Sequence, residues 1–94
     1  MSTQTVNNEK LTKVFSALGD DTRLEILNLL IKYPDICVSS LAEELGISVS
    51  AVSQQCKLME FSGVLSRVRK GQRICYQIKS DDPVVRKVIK MIKE

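Results

Sequence analysis

A mainly α-helical fold with one small β-hairpin, in the order ααααββα, is predicted by three observations on this sequence. Apolar residues recur at helical spacing through four segments up to Gly63; the period then falls from about 3.6 to about 2 residues as far as Ile78; helical spacing returns towards the C-terminus. The 94 residues suffice for one domain with one core, expected from about residue 9 to residue 94, after a polar segment over 1–8 that is expected to be flexible.

Leu11, Val14, Phe15 and Leu18 form the apolar side of a first helix that Gly19 stops. Asp20 and Asp21 offer acceptors to the free amides of a second helix, TRLEILNLLIKY, apolar around most of its circumference and so expected to be buried. Pro34 ends it. In SSLAEELG, Ser40 and Glu43 have capping-box spacing, Leu41 and Leu45 face inward, and Gly46 provides the left-handed residue that closes a short third helix. Ile47 is expected as a buried plug in the turn and Ser48 as the cap of a fourth helix, VSAVSQQCKLMEFSG, running to Gly63. Two helices joined by about four residues around a glycine make a helix-turn-helix, here over about 39–62. LSRVRKGQRICYQI reads as a hairpin over about 64–78 that turns near Lys70-Gly71, with Ile74, Tyr76 and Ile78 alternating against Arg73, Cys75 and Gln77. Asp81 or Asp82 caps a last helix over about 82–93, with Pro83 in its first turn. The architecture is that of a winged helix-turn-helix.

The net charge of +3 is unevenly spread: six cations face the single Glu60 between Lys57 and Lys79, whereas residues 1–56 carry four cations against seven anions. A basic segment on an acidic body points to a polyanion bound at one face. Each helical residue turns by about 100°, so Val49, Val52, Cys56 and Met59 lie on the core side of the fourth helix. Ser50, Gln54 and Lys57 project from the opposite side, with Ser53 at its edge and Ser48 at the helix start. These short polar, amide and cationic groups suit base edges and phosphates in a major groove. Arg67, Arg69, Lys70 and Arg73 cluster about the hairpin tip, within reach of sugar-phosphate or the minor groove. Double-stranded DNA is therefore the expected partner.

Other classes are disfavoured. No run approaches the roughly 18 apolar residues of a membrane span, and the polar start MSTQTVNNEK lacks the apolar core of a secretory signal, so a cytoplasmic location is expected. Cys37, Cys56 and Cys75 are an odd number, which argues against a disulfide framework and for a reducing compartment. With no histidine, no phosphate-cradling glycine loop and no paired carboxylates in an evident cleft, neither an enzyme nor a bound cofactor is expected. The stripe Val85, Val88, Ile89 and Ile92, backed by Arg86, Lys87, Lys90 and Lys93, would be costly to leave in water, since burying one such side chain contributes about 1.5–3 kcal/mol. A homodimer is expected, with this stripe packed on the first helix, Leu11 and Val14 included, of both subunits.

From about Val14 to Ile78 the segments FSALGDDTRLEILNLL, ICVSSLAEELGISVSAVSQQCKLM and GVLSRVRKGQRICYQI, in that order, resemble the ArsR/SmtB family of repressors. The resemblance implies a winged-helix dimer, paired through its first and last helices, that represses an operon until an effector releases it from a palindromic operator.

The usual effector sites of that family are incomplete. Where many members have Cys-Val-Cys, this chain reads Cys37-Val38-Ser39, and a serine hydroxyl is a poor ligand for soft metals. The histidines of the other common site are missing, and the last helix offers only Asp81, Asp82 and Glu94 near its ends. No metal site is therefore expected, and the effector stays unassigned. Cys56 reads as a small buried hydrophobe. Cys37, near a helix start, and Cys75, on the wing strand, are the candidate thiol sensors of a redox-responsive repressor. Phe61, placed outward near the end of the fourth helix, keeps open a different class of function, a winged-helix module that binds protein rather than DNA.

Overall fold

The computed structural model describes the backbone of residues 2–93 and the side chains of residues 8–93. Its elements are α1 (Ser2–Leu18), α2 (Asp21–Lys32), α3 (Val38–Leu45), α4 (Val49–Phe61), β1 (Leu65–Lys70), β2 (Arg73–Ile78) and α5 (Pro83–Lys93). Because no proline or glycine interrupts the chain before Gly19, α1 is helical from Ser2, upstream of the boundary expected at residue 9. None of the described helices is long and apolar enough to cross a membrane.

Local chemistry accounts for most of the element ends. Asp20 caps α2, its carboxylate accepting the Arg23 amide at 3.1 Å. At the other end the Tyr33 amide donates to the Leu29 carbonyl at 2.7 Å before Pro34 turns the chain away. Gly46 closes α3 with a φ of 69°, a left-handed conformation that costs a side-chain-bearing residue much more. Ser48 caps α4, its hydroxyl oxygen accepting the Ala51 amide at 3.0 Å. Of the two candidate caps for α5, Asp82 is used, accepting the amides of Val84 at 2.9 Å and Val85 at 3.3 Å.

The start of α3 departs from expectation. Cys37, not a serine, precedes the helix, and Ser40 lies inside it, so the Ser40/Glu43 capping box does not form. Cys37 pairs as an isolated antiparallel bridge with Cys75, which holds it extended (φ −97°, ψ 169°) and forces the helix to begin at Val38. The same two residues form a disulfide, correcting the expectation that the thiols would be free. Spacing along the chain gave no sign of it, because the two cysteines are 38 residues apart and meet only when β2 lies beside the start of α3.

β1 and β2 form a two-stranded antiparallel sheet in which Leu65 faces Ile78, Arg67 faces Tyr76, Val68 faces Cys75 and Lys70 faces Arg73. The connection is Gly71-Gln72. Positive φ falls on Gly71 alone, the arrangement of a two-residue hairpin turn with glycine first. Leu65 and Tyr76, on one face, and Cys75, on the other, are all buried. The base of the hairpin is thus covered on both sides. Cys75, expected to alternate outward, is covered by the start of α3, while Ile74, expected inward, lies nearer the tip and is 38% exposed.

The core gathers Ile26, Leu27 and Leu30 of α2, Leu41 of α3, Val52, Cys56 and Met59 of α4, and Val14, Val64, Leu65, Tyr76, Val85 and Val88. Val14, Val85 and Val88, expected as dimer contacts, are buried within the single chain, where α1 and α5 pack together. Ile47 and Val49 also depart from expectation: both face solvent, because Gly46 and the Ser48 cap turn this short segment outward.

Lys10 of α1 forms a 2.9 Å ion pair with Asp82 at the head of α5. Burial alone would push the Asp82 carboxyl up, but the Lys10 hydrogen bond, the Val85 and Val84 amides and the Lys10 charge outweigh it and hold the carboxyl below its ordinary value. A lowered carboxyl pKa contributes stability that is present above the unfolded value of about 3.9 and is lost as pH falls through the folded value. Asp82→Asn keeps an N-cap but removes the charge. The melting temperature of wild type should exceed that of this variant near neutral pH, and the gap should close as thermal scans are taken to progressively lower pH.

Candidate nucleic-acid interface

The orientation of α4 follows from what it buries. Val52, Cys56 and Met59 have no exposed surface and face α2 and α3. Burial pushes the Cys56 thiol up to about 12, so it stays neutral and packs as a small apolar group. The opposite side must then face water: Ser50, Gln54 and Lys57 are exposed and Ser53 is half-buried. The Ser48 oxygen is engaged as a cap, leaving its O–H free to donate to an incoming acceptor. Val49, 51% exposed at the first turn, belongs to this face although its apolar character placed it in the core. A signal for it was present, because a residue directly after an N-cap stands ahead of the first buried turn.

One positioning residue was missed. Arg23 of α2 donates from Nε to the Ala17 carbonyl of α1 at 2.6 Å and from Nη1 to Oε1 of Gln55 on α4 at 2.9 Å. Its fork ties the last turn of α1 to α4 in a half-buried setting. Sequence spacing could not reveal this, since Arg23 and Gln55 lie 32 residues apart.

The four wing cations divide between the two faces of the hairpin. Arg67 and Arg69 share a face with Tyr76 and Ile74, whereas Lys70 and Arg73 share the other with Cys75. Arg67 approaches the half-buried Glu60 at 3.9 Å, and Lys70 approaches Asp35 at 3.5 Å at an exposed position. Arg69 and Arg73 are exposed and make no ion pair among the described residues. A groove of about 240 Å³ brings the helix and the wing together, lined by Val49 and Ser53 of α4, Arg73 and Ile74 of β2, and Cys37, Val38 and Ser39 at the start of α3.

Away from this surface, Leu11, Ile89 and Ile92 are half-buried, while Phe15 (52%) and Met91 (60%) are exposed on α1 and α5. Phe61 is 91% exposed, as its place on the helix implied. Cys37 and Cys75 come together in the disulfide, apart from Cys56.

Comparison with known proteins follows the same lines. The family described as winged helix-turn-helix DNA-binding matches residues 19–66, from the end of α1 to the first residues of β1. Over 86 residues, 92% of this chain and 94% of the relative, the sequence is 31% identical to an uncharacterized HTH-type transcriptional regulator of Methanocaldococcus jannaschii. It is 31% identical over 71 residues to the arsenical resistance operon repressor of Escherichia coli, covering 76% of this chain and 61% of that repressor. In fold it is similar to the homodimeric winged helix-turn-helix DNA-binding domain of Mb0332 from Mycobacterium bovis, with a TM-score of 0.82 at 23% identity, over 96% of this chain and 81% of that one.

Removing the Arg23 fork should loosen α4 against α1. Arg23→Met keeps much of the apolar stem and forfeits both hydrogen bonds, one of them to a carbonyl left in a half-buried site. Urea unfolding should show a loss of about 1.5–3 kcal/mol, the range for hydrogen bonds made by a charged group. A variant as stable as wild type would show that the fork does not hold the helix.

Proposed function

The chain belongs to the ArsR/SmtB family of winged helix-turn-helix DNA-binding transcriptional regulators, and from that premise we propose that it represses transcription as a homodimer on an inverted-repeat operator. The observation that carries the DNA-contact assignment is the shared groove: Ser53 of α4 and Arg73 of the wing line one concavity, so the reading helix and a cation with no ion pair among the described residues address the same ligand. Gln54 reads a base edge, Ser50, Ser53 and Lys57 support it, and Ser48 donates to a phosphate near the helix start. Arg69 and Arg73 carry most of the wing's phosphate contact. Arg67 and Lys70 contribute less, since each must first leave an intramolecular partner.

The dimer reading is supported by the apolar residues that remain after each protomer has closed its own core. Phe15 and Met91 are exposed and Leu11, Ile89 and Ile92 half-buried, and all lie on α1 and α5. The Mycobacterium bovis domain is homodimeric and has the same architecture. A two-fold dimer would present two α4 helices to successive major grooves, with half-site centres about 10 base pairs or a multiple of that apart. No family-type metal site takes part in this reading, because the chain has no histidine and Ser39 replaces the second thiol of the cysteine pair.

Two measurements test it. On a duplex selected by the protein from a random pool, replacing Arg69 and Arg73 by alanine should lower affinity for all sequences alike and reduce the slope of log K against log salt by about 3.6 for the dimer, or roughly 0.9 for each of its four phosphate contacts. Gln54→Ala should instead relax base preference at one position of each half-site, by about 1–3 kcal/mol. If both changes act alike, the division between helix and wing is wrong. In sedimentation at micromolar concentration the wild type should run as a dimer and Phe15→Glu as a folded monomer; a monomeric wild type would refute the pairing.

A further inference from the structure

The Cys37–Cys75 bridge lies where the two halves of the proposed DNA surface meet. Cys37 is the extended residue immediately before α3, the first helix of the helix-turn-helix, and Cys75 is in β2, two residues beyond Arg73. Their Cα atoms are 4.6 Å apart, the spacing of a narrow antiparallel pair, so the backbone holds the two sulfurs together whether or not they are bonded. Cys75 is buried, but Cys37 is half-exposed and lines the groove shared by α4 and the wing. The charged side chain lining that groove is Arg73, a cation that favours a thiolate there.

We infer that Cys37 and Cys75 form a reversible thiol–disulfide couple, responsive to low-molecular-weight disulfides, that controls how firmly the wing is held to the helix-turn-helix and so how tightly the protein binds DNA; this rests on the DNA-binding reading above. Cys37 is the entry point. Its thiolate attacks one sulfur of the oxidant, the oxidant's S–S bond breaks, and one small thiolate leaves. The Cys75 thiolate then attacks the Cys37 sulfur of the mixed disulfide and expels the second. One protein S–S bond replaces two S–H bonds, and the oxidant leaves as two thiols carrying the two protons and two electrons.

The direction of the effect follows from what else holds the wing. Burial of Leu65 and Tyr76 secures the hairpin base, but nearer the tip, on the Cys75 face, the contact is the exposed Lys70–Asp35 pair, which contributes little. DNA must engage α4 and the wing together. The bridge removes the wing's freedom before binding, and ordering lost in advance is not lost again on association. The bridged form should therefore bind more tightly, by about 5- to 10-fold, the lower end of typical coupling between two sites.

The test uses the full chain equilibrated in buffers of reduced and oxidised glutathione, with intact mass reporting loss of two hydrogen atoms and fluorescence anisotropy reporting affinity for a duplex selected from a random pool. The inference expects the bridge to form and break without unfolding, and bridged protein to bind about 5- to 10-fold more tightly than reduced protein. Cys37→Ser/Cys75→Ser should match the reduced form in every buffer. Reduced wild type serves as the comparison in its place if that variant does not fold. Equal affinities with the bridge demonstrably made and broken would overturn the inference, as would a bridge that yields to reductant only on unfolding. A couple that cycles in a protein selecting no duplex in either state would overturn the DNA-binding reading, and this inference with it.

Discussion

Burial of Val52, Cys56 and Met59 beneath α2 and α3 sets the rotation of α4, and the rest of the candidate surface depends on that rotation. Three side chains on one side of a helix leave no freedom about its axis once they have no exposed surface. Ser50, Gln54 and Lys57 consequently face outward without needing contacts of their own. Arg23 adds the directional element that apolar packing lacks, since its two hydrogen bonds are satisfied at one placement of α4 against the end of α1. Packing and polar fork together preorganise the helix before any ligand is present.

The wing obeys a different constraint. A two-stranded hairpin is marginal alone and becomes stable only where it packs on something larger. Here the base packs on the core through Leu65 and Tyr76, and the start of α3 pairs beside β2 at Cys75, so the tip projects from a support held at its base and along one edge. Cations placed at such a tip divide between the two faces by strand alternation. Nearby carboxylates then distinguish them: Glu60 and Asp35 pair with Arg67 and Lys70, whereas Arg69 and Arg73 have no ion pair among the described residues.

At the opposite end, α1 and α5 share their apolar faces within the chain, and the Lys10–Asp82 pair joins them. A stripe wide enough to cover a neighbouring helix and still leave apolar surface outside can serve both fold and assembly. Val85 and Val88 are used up by the first, and Phe15 and Met91 remain exposed.

The element order, the caps at Asp20 and Ser48, the left-handed Gly46, the hairpin turn at Gly71 and the outward face of α4 were all legible in the sequence. Each depends on residues within about one or two helical turns of one another, so periodicity and capping chemistry carry the information. What the sequence alone could not determine involves partners distant along the chain. Cys75 meets Cys37 across 38 residues and Arg23 meets Gln55 across 32, and the start of α3 shifts to Val38 because of the first of these meetings. Likewise the apolar pattern shows that Val14 and Val85 must be buried, but not against what. Only the tertiary structure decided that they are covered within their own chain, because burial is a property of the folded surface, whereas periodicity is a property of one helix.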